Sequence, residues 1–274
     1  MKVALCFWGL TRSLKYTLHS IKKYILNVFN VHNIEYKIFL HTYYFHSIYN
    51  NPRAGETNID LDFDEHYLLN PDFLKIENQD TVKEIIDVFK YRNQPDPWES
   101  NYACVDNFLC AMYSKKQLGI MVENSNIDFD YIIYLRPDVR YLTYFDMKYF
   151  SLVNEYNVCT PNFHLFPNLN DRFCMLLPSK LKKYYLLFDK MYEYSLLYPL
   201  HSERFQYNIM VKLYKWSIRY IPILFNRVRA DGTELHDAGI NIKKMKKKSK
   251  DENKRIAPIV DNNKVVKPLF KFKT

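Results

Sequence analysis

Apolar and polar positions along this chain change period several times, and each change predicts an element. Val3 to Trp8 is β-rich and uncharged and predicts a first strand. After a Gly9 turn, Leu14, Leu18, Ile21, Ile25 and Val28 recur at helical spacing. Tyr36 to Leu40 predicts a second strand ending at His41 and Thr42, so the start reads as a β-α-β unit with parallel strands and a right-handed crossover. Residues 46–80 read as polar loop. Thr81 is placed to cap a helix running to Arg92, with Val82, Ile85, Ile86 and Phe89 on one face, until Pro95 and Pro97 break it. A long helix is predicted over 101–123.

Further strands are predicted over 131–135, 156–160 and 171–177, then a Leu- and Tyr-rich helix from Ser179 to Leu197. Ser202 is placed to cap a helix through Lys215. A last strand over 218–225 contains Pro222, which suits an edge. Strands alternating with helices predict an α/β fold built on a mostly parallel sheet. Its extent is one domain over 1–242 with a flexible tail over 243–274.

The most informative segment is Asp130 to Arg140. Tyr131 to Leu135 carry no charge, as in a strand buried on both faces, and Pro137 ends the sheet pairing. That strand delivers Arg136, Asp138 and Arg140 to its carboxyl end, the edge where open α/β sheets bind ligands. A carboxylate between Arg136 and Arg140 suits a divalent ion with a polyphosphate. A surface ion-pair cluster is the plainer reading of the same residues.

The formal charge of +9 invites a nucleic-acid partner until its distribution is considered. Twelve of the 39 Lys and Arg, but only three of the 30 Asp and Glu, lie in 243–274, which leaves 27 of each in the body. No basic face is needed, and no nucleic-acid partner is expected. Five cysteines without a C-x-x-C pair suit reduced thiols in the cytoplasm. No apolar run approaches the ~18 residues of a membrane span.

Several other residues could carry chemistry. Gly9-Leu10-Thr11-Arg12-Ser13 joins the first strand to the first helix, where backbone amides and Arg12 suit an anion, although it is neither a dinucleotide nor a Walker loop. His41 and Thr42 are expected just past the second strand, on the same edge. Asp171 and Glu203 are the acids available for proton transfer, Glu203 at a helix start where it could simply cap. Arg227 and Arg229 could clamp a diphosphate, and His236 and Asp237 could reach the same place.

Four of these elements in order, Gly9-Leu10-x-Arg12, Ile38 to Thr42, Tyr134 to Asp138, and Asn170 to Phe173, resemble those of a family of small glycosyltransferases of bacteria and large DNA viruses. A segment similar to Ser202-Glu203-Arg204-Phe205 follows in that family, and the similarity spans about residues 1–230. Two departures are Tyr36-Lys37-Ile38, where the family often has an acid, and the absence of the first acid of a D-x-D element. The resemblance implies a GT-A-like, Rossmann-type fold and a hexosyl- or pentosyltransferase. Its donor would be a nucleotide sugar, by family habit a UDP-sugar, and its acceptor a glycan or glycoprotein.

It further implies Mn²⁺ or Mg²⁺ on Asp138, with donor contacts from Gly9, Thr11, Arg12, Ser13, His41, Thr42, Arg136, Arg227 and Arg229. Catalytic acids would be Asp171 and Glu203, and the location the cytoplasm, a host's if the protein is viral. The alternatives are a protein binding nucleic acid or an anionic surface through its basic tail, and a nucleotidyl- or phosphotransferase.

Overall fold

The computed structural model describes residues 1–46, 48–51, 54–166 and 168–238. The basic tail over 243–274 lies outside the described residues. The strands in chain order are β1 (Lys2–Trp8), β2 (Glu35–Tyr44), β3 (Tyr49–Asn51), β4 (Glu56–Ile59), β5 (Phe73–Asn78), β6 (Tyr131–Leu135), β7 (Val139–Tyr141), β8 (Asn157–Pro161), β9 (Phe173–Leu176), β10 (Ser217–Ile221), β11 (Phe225–Val228) and β12 (Glu234–Leu235). Seven of them form one sheet in the order β10-β8-β9-β6-β1-β2-β5. All neighbours are parallel except at β9, which runs antiparallel to both β6 and β8. The expected α/β architecture is therefore present, with β1 and β2 parallel.

Alternation along the central strands explains their place. Val3, Leu5 and Phe7 of β1 and Ile133 and Leu135 of β6 enter one core. Ala4, Cys6 and Trp8, with Ile132 and Tyr134, enter the other. A strand apolar on both faces needs cover on both. On the first face, α1 (Leu14–Ile21) runs through a π-turn into α2 (Asn27–Val31) and contributes Leu14, Ile21, Ile25 and Phe29. On the second, α3 (Gln79–Ile86) and α4 (Ala103–Asn124) contribute Val82, Val105, Phe108, Leu109, Met112 and Leu118.

Five expectations are corrected. The polar stretch 46–80 holds the β3–β4 hairpin, a 3₁₀ segment Phe63–Leu69, and the edge strand β5. Leu74 and Ile76 of β5 are each 38% exposed, while Glu77 turns to His41 at 2.8 Å. Asn78, not Thr81, caps α3, accepting from the amides of Asp80 and Thr81 at 3.0 Å. The helix predicted over 179–197 is broken into α5 (Leu181–Tyr185) and α6 (Met191–Ser195) by a 3₁₀ turn, a tightening that puts Tyr184, Leu187 and Met191 in the core α4 covers. His201 occupies the cap position of α7 (Ser202–Tyr207), so Ser202 is its first residue. The last predicted strand splits at Pro222 into the edge strand β10 and β11, because Pro cannot continue a ladder.

β7, β11 and β12 make a separate antiparallel three-stranded sheet at the carboxyl edge of the main one. The Val228 amide donates to the Asp138 carbonyl at 2.9 Å, which sets the Arg227 and Asp138 strands side by side.

Candidate functional site

A cavity of about 730 Å³ opens at the carboxyl edge of β1 and β6. Its wall includes Gly9, Arg12, Arg136, Asp138, Asp171, Arg227 and Arg229, so seven expected residues from four stretches of chain meet there. Asp171 arrives by the reversal of β9. An antiparallel strand begins where its neighbours end, and Asp171 stands two residues before it. Gly9 turns the chain out of β1 with φ +90°, a conformation that favours glycine.

Asp138 is 2% exposed and forked by Arg136, whose Nε donates to Oδ1 at 2.6 Å and whose Nη2 bonds Oδ2. Arg12 Nη2 donates to the same Oδ2 at 3.3 Å. Burial alone would raise the carboxyl, but Arg136 and then Arg12 outweigh it and hold the group at about 2. The second guanidinium is thus Arg12 and not Arg140. Along β7 the side chains alternate, Val139 and Tyr141 go inward, and Arg140 turns out to Glu234 at 3.0 Å.

Arg12 also bonds the Tyr49 hydroxyl and, at 3.2 Å, the buried carboxylate of Glu56. Glu56 accepts from the Ala230 amide at 2.7 Å and lies 3.8 Å from Arg229. The Nε atoms of Arg12 and Arg229 are buried, with no hydrogen-bond partner among the described residues. Arg227 differs, because its fork is filled by both oxygens of Asp237 at 2.7 Å. Asp237 thus reaches the site through Arg227, while His236 is exposed.

Asp171 and Glu203 form the second acidic group. Burial would raise Asp171, but Arg172, Lys115 and Arg136 hold it below the usual carboxylate range. Glu203 is pushed up to about 7 by burial and then by the charge of Asp171. It bonds the Ser202 hydroxyl, lies 3.4 Å from His201 and 3.9 Å from Arg172, and sits behind Asp171 rather than on the cavity wall.

The structure places four expected residues elsewhere. Ser13 is buried, donating its hydroxyl to the Val228 carbonyl at 3.0 Å, so it joins α1 to β11. Thr11 is buried in the same turn. His41 and Thr42 lie inside β2, which runs on to Tyr44, and both are buried. His41 sits between Glu77 at 2.8 Å and Ser114 at 2.9 Å. Burial lowers its pKa and favours the neutral ring.

Lys115 was not expected. It lies in α4, fully sequestered, its ammonium donating at 3.0 Å to the Asp171 carbonyl and to Gln206 Oε1, 4.4 Å from the Trp8 ring centre. Burial lowers it to about 8. Its signal was present: position 115 follows Phe108 by seven and Met112 by three, a charged residue in the phase of an apolar face.

The expected Mn²⁺ or Mg²⁺ does not fit this donor set. Both oxygens of Asp138 are taken by guanidinium groups, and among the described residues no three His, Cys, Asp or Glu side chains converge as metal ligands. The fixed positive charge here belongs to arginines.

No family model and no curated protein matches the chain. Among solved structures it is similar to mouse xyloside xylosyltransferase 1 in its apo form, at 10% identity over 80% of this chain and 84% of that one, with a TM-score of 0.41. It is similar to the glycosyltransferase GlyE of Streptococcus pneumoniae TIGR4, apo form, at 12% identity over 79% of this chain and a TM-score of 0.39. It spans only 44% of the GlyE chain. An active-site mutant of LgtC matches at 9% identity over 77% of this chain and 70% of that one, with a TM-score of 0.40. At these TM-scores the likeness is distant and says nothing about individual residues. Among the described residues no helix is long and apolar enough to cross a membrane.

Proposed function

We propose that this protein transfers a glycosyl group from a nucleotide-sugar donor, a UDP-sugar by the family resemblance, to a hydroxyl of a glycan. The observation that supports this most is the meeting, on one cavity wall, of four arginines with a separate ionised carboxylate, Asp171. Breaking a sugar–phosphate bond moves negative charge onto the departing diphosphate. Fixed guanidinium groups stabilise that charge without reorganising. Arg12 and Arg229 line the wall, Arg229 held there among the described residues by Glu56 at 3.8 Å, while Arg227 and Arg136 add field from within their own ion pairs.

The acceptor hydroxyl must lose its proton as it attacks. In a transfer that inverts the anomeric centre, Asp171 takes that proton. Its low pKa keeps it ionised, and its charge helps push the carboxyl of Glu203 behind it up to about 7. The neutralising work expected of a metal is assigned here to Arg12 and Arg136.

The test is a thermal-shift panel of UDP, UDP-sugars and free triphosphates, each with and without Mn²⁺, followed by a donor-hydrolysis assay. Stabilisation by UDP and UDP-sugars, with hydrolysis lost in Asp171→Asn, supports the reading. A panel in which only triphosphates stabilise makes the protein a different nucleotide-using enzyme.

A further inference from the structure

The cavity wall that carries Asp171 also carries aromatic rings. Trp98 and Ser202 both line it. His201, the residue before Ser202, stacks on Trp98 with ring centres 5.0 Å apart and planes at 29°. Its ring also stacks on Phe166, at 4.6 Å and 29°. Phe166 is 48% exposed and belongs to the loop that ends at Asp171. Three rings thus make one pile from the cavity to the surface, tied to Glu203 through His201.

The segment that carries Trp98 is held in a costly shape. Glu99, Asn101 and Tyr102 have φ of 52°, 52° and 65°, in the left-handed region that Asn tolerates and that Glu and Tyr rarely adopt. Such residues cost about 1–3 kcal/mol each and persist only where their surroundings over-determine them. Asp96 supplies that determination, accepting from the amides of Trp98, Ser100 and Tyr102 at 3.0, 2.6 and 2.9 Å. Trp98 itself is partly buried, packed against the core while lining the cavity.

We propose that Trp98, backed by His201 and Phe166, is the acceptor subsite, and that it takes a pyranose ring of an oligosaccharide. One face of a pyranose presents axial C–H groups, which pack on the electron-rich face of an indole, while its hydroxyls remain free at the edge. A ring seated there carries those hydroxyls beside Asp171. The inference rests on the proposed transfer and adds the identity and position of the acceptor.

The experiment uses the full chain and an array of pyranose oligosaccharides, with UDP binding measured in parallel. Trp98→Leu keeps apolar bulk without a ring face, and Trp98→Phe keeps a smaller face. The wild type should bind a subset of the array. Trp98→Leu should lose about tenfold or more in affinity for that subset and Trp98→Phe markedly less, with UDP affinity unchanged in both. Equal binding by wild type and Trp98→Leu overturns the inference, and so does a wild type that binds UDP but no oligosaccharide. A wild type that binds neither overturns the transferase reading itself. Should Trp98→Leu fail to fold, Trp98→Phe decides by fluorescence: the oligosaccharide should quench the wild type and not Trp98→Phe, and no quenching in the wild type, or equal quenching in both, sinks the subsite.

Discussion

The buried ammonium of Lys115 donates to the backbone carbonyl of Asp171 at 3.0 Å, and so fixes the position of the acid from behind. Its charge also helps hold that carboxyl low. Lys115→Met keeps length and removes both effects. The pKa of Asp171 then rises, so the acidic limb of kcat/KM should move to higher pH. Turnover should fall roughly tenfold, the worth of one charge-assisted hydrogen bond. An unmoved acidic limb in a pH–rate profile would show that Lys115 only packs.

The two acids should separate by what they change. Asp171→Asn should reduce turnover by about 10²–10⁴-fold with donor affinity intact, as expected of a base that acts only while the bond forms. Glu203→Gln should instead flatten the pH dependence near neutrality, where Glu203 titrates at about 7. Because its folded pKa lies above the unfolded one, Glu203 makes the wild type lose stability as pH rises from about 4.5 to about 7. Thermal melts across that range should show the loss in wild type and not in Glu203→Gln.

Asp138 carries the opposite linkage. Its folded pKa of about 2 lies below the ordinary carboxylate value, so its contribution is complete above about pH 4 and is lost as pH falls through about 2. That contribution is on the order of 2 kcal/mol. Asp138→Asn leaves Arg12 and Arg136 facing each other with a neutral partner, and should cost roughly 3 kcal/mol in chemical denaturation at pH 7. A mutant with wild-type stability would contradict the ion-pair account. EDTA titration of wild-type activity tests the metal separately.

Arg227 and Arg229 should be unequal. Arg229→Ala removes a guanidinium held among the described residues by Glu56 at 3.8 Å, whereas the Arg227 fork is committed to Asp237. Calorimetric titration with UDP should show about a tenfold loss for Arg229→Ala and a smaller one for Arg227→Ala. The reverse order would mean that Asp237 releases Arg227 on binding.

Much of this architecture was legible because β1 and β6 are apolar on both faces, and only a sheet covered on both sides explains that. Gly9, Arg12, Arg136, Asp138 and Asp171 were legible because they follow or precede such strands directly. His41 and Thr42 were misplaced because nothing in Tyr-Lys-Ile-Phe-Leu-His-Thr marks where a strand ends when its next residues stay hydrogen-bonded and buried. Arg140 was misjudged for want of a strand at β7, whose three residues are too few to show alternation. Glu56 and Tyr49 were invisible for a different reason: their hairpin meets Arg12 across 37 and more residues, and only tertiary contact reveals it.

The reversed strand β9 has a consequence for how this chain can be altered. Phe173 and Met175 face one core and Cys174 and Leu176 the other, with Leu135 opposite Phe173. One residue added or removed between 169 and 173 would either exchange those two pairs or rotate Asp171 away from the wall, since a step of one reverses every side chain in a strand. Single replacements in this stretch can therefore be survivable where any change of length is not. In a library of insertions and deletions across the gene, 169–176 should stand as a gap without survivors.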